Sequence, residues 1–169
     1  KIKNIDIGVI DDDEIDIAGL KARVIHTPGH TLGHVMFYLK KEKILFAGDT
    51  IFSLGCGRVF EGSMKDMFFS LNKIKSLDPE TLIYCGHEYT LSNVKFALNL
   101  SPDNQDLQKY ADWVEHQEKE HRPTIPTKLI DQIKCNPFLQ CDNEHFQKIY
   151  KSPDPIEVFG QMRKAKDNF

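Results

Sequence analysis

Apolar positions in the first ninety residues fall in short runs, and three of these runs end alike. Arg23-Val24-Ile25 leads to Gly29-His30, Ile44-Leu45-Phe46-Ala47 to Gly48-Asp49, and Leu82-Ile83-Tyr84-Cys85 to Gly86-His87. Runs of this length read as buried strands, so His30, Asp49 and His87 are expected at strand ends, where a sheet gathers them at one point. Residues 1–25 alternate apolar and polar positions around Asp11-Asp12-Asp13-Glu14. That predicts two or three strands with the acidic stretch as a solvated hairpin turn rather than a cation site. Val35-Met36-Phe37-Tyr38-Leu39 is a further strand, turned by Lys40-Lys41-Glu42-Lys43 into the run at Ile44. The first half is expected to be mostly antiparallel sheet.

A glycine-rich loop, Gly55-Cys56-Gly57-Arg58-Val59-Phe60-Glu61-Gly62, follows Asp49. Met64, Met67, Phe68, Leu71 and Ile74 then share one face of a helix expected over 63–77. Asp78-Pro79 ends it, since the residue before proline leaves the α region. From Leu91 the period becomes helical, over 91–100, 105–120, 128–133, 144–150 and 155–166. Ser101-Pro102 and Asp154-Pro155 place a capping residue before a proline suited to the first turn, and Asp154 with Glu157 has capping-box spacing. The expected class is α+β, with a sheet-bearing part over 1–90 and a small all-α part over 91–169.

Composition narrows the class of protein. The 169 residues are 40% hydrophobic and 28% charged with a formal net charge of −3, and no basic tract marks a nucleic-acid or membrane surface. Neither partner is expected. No apolar run approaches the roughly 20 residues of a bilayer span, and Lys1 to Asp6 holds no signal-peptide core. Cys56, Cys85, Cys135 and Cys141 form no Cys-x-x-Cys pair, so free thiols in a reducing, cytoplasmic compartment are expected. Cys56 and Cys85 have no evident His partner in sequence and are taken as structural.

Two imidazoles and a carboxylate form a borderline-hard donor set suited to Zn, Fe or Mn rather than to a thiolate-bound structural site. Cations held by His30, Asp49 and His87 would lower the pKa of bound water and polarise the carbonyl it attacks. The residues alone reach a metal-assisted hydrolase. His26 and His34 fall outside the recurring glycine-ligand pattern and are taken as supporting or packing residues.

Thr27-Pro28-Gly29-His30-Thr31-x-Gly33-His34, Gly48-Asp49-Thr50, Gly55-Cys56-Gly57-Arg58 and Gly86-His87-Glu88-Tyr89-Thr90 together resemble the second half of a glyoxalase II. This is the hydroxyacylglutathione hydrolase of the metallo-β-lactamase superfamily. The resemblance continues through Asn136-Pro137-Phe138 to Arg163-Lys164-x-Lys166-Asp167 and covers essentially the whole chain. It implies an αββα sandwich, here its second half, followed by the helical domain. It further implies that His30 binds one of two divalent ions, that Asp49 bridges both, and that His87 binds the other, with Zn the first expectation and Fe or Mn the alternatives. Arg58, Tyr89, Arg163 and Lys166 match positions that hold the glutathione moiety, consistent with the pairing of Arg and Lys with its two carboxylates. Phe60 stands where the family often has Tyr, at the substrate.

The family's His-x-His-x-Asp-His motif, source of the other four metal ligands, does not occur in these 169 residues. The chain is therefore expected to be a carboxy-terminal portion, with one sheet face lacking its partner sheet. The implied reaction is hydrolysis of an S-(2-hydroxyacyl)glutathione such as S-lactoylglutathione, the hydrolytic step of methylglyoxal detoxification. A metal-bound hydroxide attacks the thioester and glutathione leaves, and the complete protein is expected to be a monomer. Two alternatives stand beside it. One is a persulfide-oxidising relative with a single iron, whose kind generally lacks the helical tail. The other is a non-catalytic glutathione-binding piece, or half of a split protein.

Overall fold

The computed structural model describes residues 5–169; the share of the expected first strand that falls on residues 1–4 lies outside them. Two strands, β1 (Glu14–Ile17) and β2 (Leu20–His26), form the first hairpin. Its turn differs from the expected one. Ile17 pairs with Leu20, so the chain reverses at Ala18-Gly19, both at positive φ, with Asp16 accepting from the Gly19 amide at 2.8 Å. The acidic stretch turns ahead of β1 instead, at Asp11-Asp12 with Asp12 at positive φ, and Glu14 opens the strand. Asp11 accepts from the His26 amide and from Lys73, Asp12 from Arg23, and Asp13 from the Ile10 amide.

Strand β3 (Val35–Leu39) and β4 (Ile44–Gly48) extend the sheet antiparallel, and β5 (Ile51–Phe52) with β6 (Gly55–Cys56) makes a separate small hairpin. Helix α1 (Met64–Lys75) follows. Ser63 caps it with a reciprocal capping box, its hydroxyl accepting from the Asp66 amide and the Asp66 carboxylate from the Ser63 amide. Strand β7 (Leu82–Cys85) then lies parallel to β4, so β4, α1 and β7 form a crossover unit within an otherwise antiparallel sheet.

The rest of the chain is helical apart from one short strand. Helices α2 (Thr90–Leu100) and α3 (Gln105–Lys119) are followed by β8 (Thr127–Lys128), α4 (Leu129–Cys135), a 3-10 turn (Pro137–Leu139), α5 (Glu144–Tyr150) and α6 (Pro155–Asp167). β8 pairs antiparallel with β7 at the sheet edge, giving the order β1-β2-β3-β4-β7-β8. The helices match the 3.6-residue periodicity, whereas a two-residue strand has no periodicity to read.

One face of the sheet is fully packed. Ile25, Met36, Tyr38, Leu45, Ala47 and Ile83 share a continuous core with Met67, Leu71 and Ile74 of α1 and, beyond α1, with Phe138, Phe146, Val158, Phe159 and Met162. The helical part thus adds a layer to the same core. On the other face the registers align Phe37, Phe46 and Tyr84 across three strands, and Phe46 is 45% exposed. Among the described residues no second sheet covers this row.

Candidate active site

The three glycine-ligand turns do converge. His30 follows β2, Asp49 follows β4 and His87 follows β7, and Asp49 stands between the two imidazoles. His30 Nε2 is 3.6 Å from Asp49 Oδ2 and His87 Nε2 is 3.6 Å from Asp49 Oδ1. Both gaps exceed hydrogen-bonding range. They lie near the roughly 3.3–3.4 Å that separates two donors on one tetrahedral zinc with bonds of about 2.0–2.1 Å. A local distortion creates this placement: the β4–β7 register shifts between Phe46 and Gly48, and Gly48 adopts φ +51°, which favours glycine.

Two observations fit the set to a cation. His30 Nδ1 contacts the Arg58 carbonyl at 2.9 Å; a carbonyl only accepts, so the proton is assigned to Nδ1 and the Nε2 lone pair is left facing Asp49. Asp49 Oδ1 is buried without a hydrogen-bond partner, an arrangement that costs free energy unless a cation satisfies it. Each imidazole faces one oxygen of the carboxylate, and among the described residues no group of three or more His, Cys, Asp or Glu side chains could by itself hold a metal ion.

This cluster lines a cleft of about 740 Å³, within the usual range for small-molecule sites. Phe60 packs beside His30 with ring centroids 5.0 Å apart, and Tyr89 stacks on His87 at 5.2 Å and 20°. The same cleft is lined by the cations Arg58, Lys95, Arg163 and Lys166. Arg58 is largely exposed, with Nε 3.5 Å from Asp167 Oδ1. Lys166 extends over the Phe96 and Phe169 rings and donates to the Ser92 carbonyl, and its pKa is lowered by burial and then by Arg163 nearby. Arg163 is placed differently from an open substrate cation. It is 4% exposed, donates to the Cys56 carbonyl at 2.9 Å and to Asp167 at 3.1 Å, and lies over the Phe138 ring. It lines the cleft from inside its wall.

Several residues that shape this cleft were not singled out from sequence. Lys95, Ser92 and Asn93 of α2, with Phe52, line it. The floor is the β5–β6 hairpin, pinned by long-range contacts: Gln132 accepts from the Leu54 amide at 2.7 Å, and Asn136 donates to the Gly55 carbonyl at 3.0 Å. Lys95 at i+3 from Ser92 was visible as a polar position on α2, but no local pattern reveals pairings some eighty residues apart. The cysteines are buried or half-buried with thiols pushed up by burial, Cys56 to about 11 and Cys85 and Cys135 to about 12, so none is poised as a nucleophile.

Comparison with known proteins agrees with this geometry. Residues 1–87 match the metallo-beta-lactamase superfamily, and residues 88–169 match the hydroxyacylglutathione hydrolase C-terminus. The hydroxyacylglutathione hydrolases of Rhodospirillum rubrum and Chelativorans are 44% and 46% identical over 171 residues, covering 100% of this chain and 67% of each relative. Among solved structures, a metallo-beta-lactamase from Staphylococcus aureus superposes with a TM-score of 0.58 at 27% identity, over 97% of this chain and 45% of that one. A Myxococcus xanthus ETHE1 structure shares the fold with a TM-score of 0.58 at 22% identity, over 97% of this chain and 61% of that one. The chain thus spans about two thirds of the length of the curated relatives it matches. With both halves matched and relatives 44–46% identical along its whole length, the chain belongs to the hydroxyacylglutathione hydrolase family, hydrolases of the metallo-beta-lactamase superfamily.

Proposed function

We propose that this chain supplies one side of a two-ion metal site and the thiol-side pocket for hydrolysis of S-(2-hydroxyacyl)glutathione. Residues 1–90 carry the metal ligands and 91–169 most of the substrate wall. The observation that carries the reading is the position of Asp49 between His30 and His87, in a cleft that Arg58, Lys95 and Lys166 also line. Divalent ions, Zn first and Fe or Mn as alternatives, supply the water activation and carbonyl polarisation when bound.

The chain's own residues do the rest by placement. His30, Asp49 and His87 fix where the ions would lie, with the His30 ring held by the Arg58 carbonyl. Arg58 and Lys166 hold the glutathione carboxylates through charge-assisted hydrogen bonds and so orient the thioester toward Asp49. Tyr89 keeps a hydroxyl at the cleft, and Phe60 offers an apolar edge next to His30 where a hydroxyl is common in the family. Arg163 works through its neighbours: it fixes the Cys56 carbonyl, and so the cleft floor, and orients Asp167 against Arg58.

Two measurements test this. Titration of the chain with zinc, followed by thioester turnover under saturating metal, separates binding from chemistry. Metal bound and lost in Asp49→Ala, with turnover lost in parallel, is the expected result. Glutathione-thioester binding with no metal uptake supports the non-catalytic alternative, which two protein donors per ion favours.

A further inference from the structure

We propose that His34 is a positioning residue for Asp49, acting from beneath the metal site through a buried polar triangle with Thr27 and Thr50. The inference rests on the reading of Asp49 as a metal ligand. The His34 Nε2 atom accepts from the Asp49 amide at 3.1 Å. An amide only donates, so this nitrogen must be unprotonated and the ring proton must be on Nδ1. Nδ1 in turn has two acceptors, Thr27 Oγ1 at 2.9 Å and Thr50 Oγ1 at 3.0 Å, and the Thr50 hydroxyl donates to Thr27 at 3.0 Å. Both threonines are fully buried.

The triangle joins three strand ends. Thr27 follows β2, His34 precedes β3 and Thr50 follows β4; the Thr27 amide also donates to the His34 carbonyl, and the Gly57 amide to the Thr50 carbonyl. His30 lies in the loop between Thr27 and His34, and Asp49 is the residue before Thr50, so one imidazole ties both ligand-bearing turns together. The same ring explains Gly48: a Cβ there would meet His34 Nε2 at 2.6 Å. His34 itself is not a ligand in this arrangement, since its Nε2 lone pair is used on the Asp49 amide.

The test uses the 169-residue chain and cobalt(II) alone. Nitrogen-15 NMR of the metal-free chain is expected to show His34 as the Nδ1–H tautomer. His34→Gln, whose amide end reaches the place of Nε2, is expected to bind cobalt within about threefold of wild type, while His34→Asn, which reaches only the place of Nδ1, binds about 10–100-fold more weakly. An Nε2–H tautomer, or equal cobalt affinity in wild type and a folded His34→Asn, overturns the proposal. If the His34 variants fail to fold, the near-isosteric pair Thr27→Val and Thr50→Val decides it: removal of both Nδ1 acceptors should flip the tautomer and weaken cobalt by a similar factor, and unchanged affinity overturns it. Should wild type bind no cobalt, the metal reading fails, while the tautomer still decides the contact between His34 and Asp49.

Discussion

Replacing Gly86 by alanine places one methyl group against the Asp49 carboxylate that stands between the two imidazoles. The added Cβ would be 2.7 Å from Asp49 Oδ1 and 3.3 Å from the carbonyl carbon and oxygen of Gly48. An ordinary contact is about 3.5 Å or more, so the carboxylate oxygen must retreat by roughly 0.8 Å, while the Gly48 backbone needs only a few tenths. The oxygen ends a rotatable side chain and yields easily. Fold stability should therefore change little: the backbone adjustment opposes the roughly 0.4–1 kcal/mol gained when alanine replaces glycine in the unfolded chain. Metal placement should change much more, because a displacement approaching 1 Å at a reacting centre costs on the order of 100-fold. We expect Gly86→Ala to unfold within about 4 °C of wild type yet to bind zinc at least tenfold more weakly by calorimetry. Gly33→Ala, in the same loop as His30 but with open space around its Cβ, is the control and should match wild type in both. Zinc affinity unchanged in Gly86→Ala would refute the reasoning that Asp49 Oδ1 faces an ion.

Other outcomes follow from the same geometry. Lys166→Met should raise KM for a glutathione thioester roughly tenfold with kcat nearly unchanged, and the difference from wild type should shrink at high salt; a kcat loss without a KM change would remove Lys166 from substrate binding. Phe46→Ser should lower fluorescence of a dye that binds apolar surface, because it interrupts the row of Phe37, Phe46 and Tyr84; undiminished dye binding would show that the exposed apolar surface lies elsewhere. The cysteine thiols set an alkaline limit. Cys135 is raised from 9.0 to about 12, so above pH 9 the unfolded chain releases a proton that the folded chain keeps. The stability contribution is fully present below pH 9 and falls by about 1.4 kcal/mol per pH unit up to the folded value. Denaturant unfolding at pH 8, 9 and 10 should show a shallower alkaline decline in Cys135→Ala, and parallel declines would contradict the burial argument.

The site was more legible than its surroundings because its signals are local. His30, Asp49 and His87 are each preceded by glycine and by a strand, and the three turns meet because β2, β4 and β7 end on the same side of the sheet. The acidic stretch misled only about the hairpin: the chain does turn at Asp11-Asp12, with Asp12 at positive φ, but ahead of β1, and the β1–β2 reversal falls at Ala18-Gly19. Arg163 shows a different limit. A cation in the last helical turn looks the same in sequence whether it meets a ligand or, as here, a buried carbonyl and an aromatic ring. Gln132 and Asn136 were invisible as floor residues because their partners in β5–β6 lie far away in the chain.

Strand β8 gives the order of synthesis a physical meaning. Leu82 of β7 pairs with Lys128, so the sheet edge beside the strand that delivers His87 is closed by residues made about 45 positions later. At roughly 5–20 residues per second, β7 waits about 2–9 s on the ribosome with its backbone donors and acceptors open. During that interval the nascent chain presents an unpaired edge, a surface through which sheets join wrong partners. The helices that wall the substrate cleft are thus also timekeepers, since β8 reaches the edge only after α2 and α3 have emerged.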